Sequence, residues 1–146
     1  LGYVLLYLNF LLLTLLFMKY AIQINASPNQ SNGSETAYQF IKTALEMGNE
    51  IVRVFFYKEG VYHAFRYMTP PDDEINSAKR WSELAEQYDL DLVVCISAAQ
   101  RRGLLEAVEA KRQGKADSDV AQGFRIAGLG LWVEAMLLAD RFIEFS

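Results

Sequence analysis

Five short apolar runs separated by stretches of helical periodicity leave this chain few ways to fold. The most telling is Leu92-Val93-Val94-Cys95-Ile96, which is rich in β-branched residues and lacks alternation. That is the pattern of a strand buried on both faces of a parallel sheet. Residues 19–25 form a first strand with Tyr20, Ile22 and Ile24 on one face, and residues 50–57 form a second around Ile51, Val52, Val54, Phe55 and Phe56. Phe124–Ala127 and Arg141–Phe145 supply two more. Between the strands, Ala37, Phe40, Ile41, Ala44 and Leu45 recur at helical spacing up to Gly48, with Ser34 and Glu35 as the expected cap. Ile75, Ala78, Trp81, Leu84 and Ala85 mark one stripe of a helix over 74–88. A further helix follows Cys95, interrupted at Gly103 and continuing to Gly114, and a last one covers 131–138. Such alternation predicts a doubly wound α/β domain: a mainly parallel five-stranded sheet with helices on both faces, a flavodoxin-like three-layer sandwich.

The residue inventory removes several kinds of chemistry. The single cysteine, Cys95, excludes an internal disulfide and a cysteine-based zinc cluster, and the single His63 excludes a two-histidine metal site. With 14 basic against 18 acidic residues the net charge is -4, which argues against direct nucleic-acid binding. No cofactor is expected.

Residues 1–17 carry no charge and are almost wholly apolar. As a helix they would span about 26 Å, short of a ~30 Å hydrocarbon core. They lack the basic start and small-residue cleavage site of a secretory signal. Met18-Lys19 opens the strand pattern, so 18–146 is expected to form the domain, with 1–17 an apolar leader outside it and the protein in the cytoplasm.

In doubly wound folds the working end lies at the carboxyl ends of the strands, where Cys95 is expected. A thiol there, before a helix and near Arg101 and Arg102, is expected to favour its thiolate, the form that attacks sulfur electrophiles. The competing reading is a small buried hydrophobe. Other signals are weaker. Gly128-Leu129-Gly130 reads as a strand-to-helix turn, residues 27–34 as a loop able to cradle a phosphate, and His63 as a surface or packing histidine. Tyr57, Tyr62, Phe65, Tyr67 and Trp132 are more aromatic surface than one small domain hides, so subunit contacts are expected among them.

Four blocks carry a resemblance: Met18–Ile22, Val54–Tyr62, Val94–Gly103 and Gly123–Gly130. In order and spacing they resemble the DsrE/TusD sulfur-relay family over Met18 to Phe145. The resemblance implies a sulfurtransferase subunit of the TusBCD or DsrEFH type, with two related α/β subunits in a hetero-hexamer and Cys95 matching the persulfide-carrying cysteine. It also implies a sulfur donor of TusA type and an acceptor of TusE or DsrC type, in tRNA 2-thiouridine synthesis or intracellular sulfur oxidation. A flavodoxin-like nucleotide or flavin-binding module, and a structural subunit with an inert cysteine, stand as alternatives.

Overall fold

The computed structural model describes residues 1–12 and 17–146 with their side chains, and 13–16 by backbone alone. Helix α1 (Gly2–Leu16) leads into strand β1 (Lys19–Ile24), and the core elements then alternate: α2 (Asn32–Glu46), β2 (Glu50–Phe56), a 3-10 turn (Lys58–Ala64), α3 (Ser77–Tyr88) and β3 (Leu92–Cys95). Two short helices, α4 (Ile96–Gln100) and α5 (Ala107–Arg112), precede β4 (Phe124–Ala127), α6 (Gly130–Leu138) and β5 (Arg141–Phe145). All four strand pairs are parallel, in the order β4-β3-β2-β1-β5.

The order follows from handedness. From β1 to β4 the chain moves in one direction across the sheet, so right-handed crossovers stack their helices on one face. The last connection reverses past three strands to the far side of β1, which places α6 on the opposite face. Two consecutive residues of β2 show the division. Phe56 meets Trp81 of α3 edge-on at 5.4 Å, whereas Phe55 stacks on Trp132 of α6 at 5.4 Å. Phe55 and Phe56 are both fully buried, a burial that stabilises by about 1.5–3 kcal/mol per ring. Trp132, expected among the subunit contacts, is therefore core.

Arg53 on β2 ties α6 to its face of the sheet. Its Nε donates to Asp91 at 2.5 Å, and Nη1 donates to the Leu131 carbonyl at 2.5 Å and to Glu134 at 2.9 Å. Arg125 of β4 grips the same Asp91 with two hydrogen bonds, 2.7 and 2.8 Å. Burial works to raise the Asp91 carboxyl, but the two guanidinium groups outweigh it and hold the pKa below the ordinary value. The Arg53 charge inside β2 is thus paired with two carboxylates.

Local boundaries depart from expectation where a single residue decides them. Ile75 precedes α3 and is 59% exposed, because Asn76 caps the helix by accepting the Lys79 N–H at 3.0 Å. The helix expected across 97–114 is two helices, since Gly103 at φ +75° turns the chain out of helical geometry. Helix α2 begins at Asn32, so Ser34 and Glu35 lie in its first turn and Ser31 is the cap residue. The side chains of residues 1–12 on α1 are exposed, and no helix among the described residues is long and apolar enough to cross a membrane.

Candidate functional site

Cys95 is the last residue of β3 and the residue that caps α4. It stands in register with Ala127, the last residue of β4, so the thiol lies at the carboxyl end of the sheet. Its side chain is 1% exposed. The next residue, Ile96, is 41% exposed, and Ser97 is exposed too. The thiol is therefore buried at the point where strand geometry gives way to helix, and the residues that follow it come to the surface.

The two arginines expected beside it diverge. Arg101 is exposed. Arg102 turns toward the 3-10 turn, pairing with Glu59, lying 5.9 Å from the Tyr62 ring centre and donating to the Ala98 carbonyl at 3.1 Å. Its guanidinium links the segment after β3 to the segment after β2. Glycine at position 60 makes the approach feasible: the Tyr57 N–H donates to the Ile24 carbonyl at 3.0 Å, and a Cβ on Gly60 would collide with that carbonyl oxygen. The 3-10 turn is thereby pressed over the end of β1.

Beside it a cleft of about 240 Å³ is lined by Ser27, Asn29, Gln30, Glu59, Tyr62 and Met68. Ser27 is buried and its hydroxyl has no hydrogen-bond partner among the described residues. The neighbouring cleft at the start of α2 is lined by Glu35, Asp73 and Glu74 with one cation, Arg80, itself paired with Glu35 at 2.7 Å. That balance of charge opposes a phosphate in the 27–34 loop.

His63 is fully buried, a packing residue and not a surface one. Its Nε2–H donates to the Ala26 carbonyl at 3.0 Å, which leaves Nδ1 to accept the Ser77 hydroxyl at 2.5 Å. Burial, with a smaller push from Arg80, lowers its pKa to about 4, although the Ala26 carbonyl pulls the other way. The neutral ring locks the 3-10 turn to the loop after β1 and to the first residue of α3. Nothing in the sequence pointed to this pairing, since the partners are 14 residues apart across a proline-rich loop.

Of the expected aromatic surface, Tyr67 is exposed, while Tyr57, Tyr62 and Phe65 are half-buried, the last two stacked at 5.3 Å. The larger uncovered apolar area lies elsewhere. Helix α6 is apolar except for Glu134, which pairs with Arg53 of the sheet; Trp132 and Ala135 are buried, while Val133, Leu137 and Leu138, with Leu129 just before the helix, remain exposed, as does Phe142 of β5, whose ring meets Trp132 at 5.1 Å.

Residues 18–145 match the DsrE/DsrF-like family. The chain is 54% identical to the DsrE protein of Allochromatium vinosum over 129 residues, covering 88% of this chain and 99% of that one. It is 39% identical to the sulfurtransferase TusD homolog of Vibrio vulnificus over 128 residues, covering 88% of this chain and 98% of that one. The crystal structure of the YchN protein of E. coli shares the fold, with a TM-score of 0.71 at 18% identity over 88% of this chain and 100% of that one.

Proposed function

The chain belongs to the DsrE/DsrF-like family, and from that premise we propose that it is a sulfurtransferase subunit that carries a persulfide on Cys95. The observation that supports this most is the place of the chain's only thiol, at the carboxyl end of β3 in a chain whose relatives include named sulfurtransferases. In the proposed cycle the Cys95 thiolate attacks the outer sulfur of a donor persulfide. One S–S bond forms as the donor's S–S bond breaks, and the donor leaves as its thiolate. An acceptor thiolate then attacks the outer sulfur on Cys95 and releases the Cys95 thiolate. No external oxidant or reductant enters, and one cysteine per partner suffices.

Near-complete burial suits a carrier, because the outer sulfur of a persulfide is open to any passing thiol. It equally favours the second reading, a structural subunit with an inert cysteine. The uncovered apolar side of α6 supports assembly with two related subunits in a hetero-hexamer. Donor and acceptor are proposed to be of the TusA and the TusE or DsrC type, in tRNA thiolation or sulfur oxidation. Loading with inorganic polysulfide, desalting and treatment with cyanide separates the two readings. The carrier yields one thiocyanate per Cys95 thiol and none in Cys95→Ser, whereas no thiocyanate from the wild type in the presence of its cognate subunits would favour the inert cysteine.

A further inference from the structure

The cleft of about 240 Å³ beside the 3-10 turn has walls that are pinned from outside it. The Ala26 carbonyl, next to Ser27, is held by His63; the Met68 carbonyl accepts from Asn76 Nδ2 at 3.2 Å; and Glu59 is paired with Arg102. The cleft is thus shaped before anything enters it. Ser27 belongs to its wall and is 8% exposed, yet its hydroxyl has no partner among the described residues. Burying a hydroxyl in this way is costly unless an incoming group answers it.

Charge and size narrow what that group belongs to. Among the described residues no lysine, arginine or histidine lines the cleft, and its one carboxylate, Glu59, is already paired, so neither an anion nor a cation gains there. The volume lies below the range of drug-sized sites, roughly 300–1,000 Å³, which calls for a compact ligand. The wall offers uncharged hydrogen bonding beside less polar surface: the Ser27 hydroxyl, the exposed carboxamides of Asn29 and Gln30, and the half-buried Tyr62 and Met68. A carboxamide sets a donor beside an acceptor, the complement of the adenine edge that carries N6–H and N7. The ring and the thioether suit a flat aromatic ligand.

We propose that this cleft binds an uncharged adenine nucleoside, with Ser27 and the Asn29 and Gln30 carboxamides meeting its donors and acceptors. Cys95 does not line the cleft, so the site stands apart from sulfur carriage and either can fail without the other.

The test is calorimetric titration of the whole chain with adenosine, purine riboside and glucose. Adenosine is expected to bind one per chain, and purine riboside, which lacks the N6 amino group, about fivefold more weakly. Glucose, uncharged and rich in hydroxyls, is expected to give no binding heat. Ser27→Ala weakens adenosine about fivefold, while the urea midpoint of the free protein stays level or rises because an unanswered buried hydroxyl has gone. Asn29→Ala weakens adenosine about threefold. Cys95→Ala keeps the wild-type affinity. Equal adenosine affinity in the wild type and Ser27→Ala, the result if water alone meets the hydroxyl, overturns the site. Glucose binding as tightly as adenosine, or no adenosine binding at about 5 mM, overturns it too.

Discussion

Replacing Cys95 with serine is expected to lower sulfur transfer from a persulfide donor to a thiol acceptor by roughly a thousandfold or more, the scale seen when a covalent nucleophile is removed. The hydroxyl does not ionise near neutral pH and forms no persulfide, and no second thiol in the chain takes over. At a site 1% exposed, serine also buries a polar group at a cost of about 1–3 kcal/mol if it stays unpartnered. Cys95→Ala avoids that cost. Transfer kinetics of both variants, with near-ultraviolet circular dichroism to confirm packing, separate lost chemistry from lost structure. An alanine variant that folds and still transfers sulfur at the wild-type rate contradicts the proposed role.

The second large effect is a loss of stability in mild acid caused by the one histidine. The His63 pKa is lowered to about 4 in the fold against 6.5 for the free side chain, so between these values the unfolded chain binds a proton that the folded chain does not. Stability is complete above pH 6.5 and falls as pH drops toward 4, by about 1.4 kcal/mol per unit and about 3 kcal/mol in all. Protonation would turn Nδ1 from acceptor to donor, forcing the Ser77 hydroxyl to turn and accept, and would leave a charge in a fully buried ring. Glu35 and Asp91 also have lowered pKa values, and their contributions are lost below the ordinary carboxylate range, at the acid end of this window. Urea midpoints at pH 7, 6 and 5 are expected to fall steadily in the wild type and to stay nearly level in His63→Gln. A level wild-type series would show that His63 is not held neutral by the fold.

The strands were legible because their signals are local. Each is an apolar run bounded by turn residues, and the unbroken run ending at Cys95 marks an interior parallel strand and its carboxyl end together. What depended on distant partners was not legible. The direction of Arg102 is set by Glu59, which lies 43 residues earlier, so adjacency to Cys95 in sequence did not become adjacency in space. Trp132 lies in a helix whose one charged residue, Glu134, is itself turned to Arg53 of the sheet, so periodicity cannot say which side faces the core. Ile75 matched the helical stripe of Trp81 and Leu84, but the Asn76 cap excluded it. The lock between His63 and Ser77 joins residues across Pro70 and Pro71, and no local pattern announces it.

The central claim, that Cys95 carries sulfur, is tested most directly by the intact mass of the wild type and Cys95→Ser after incubation with a persulfide-loaded carrier protein. The account predicts a gain of one sulfur, about 32 Da, on the wild type and none on the variant. An equal gain on both, or a wild type that gains nothing in the presence of its cognate subunits, would contradict it.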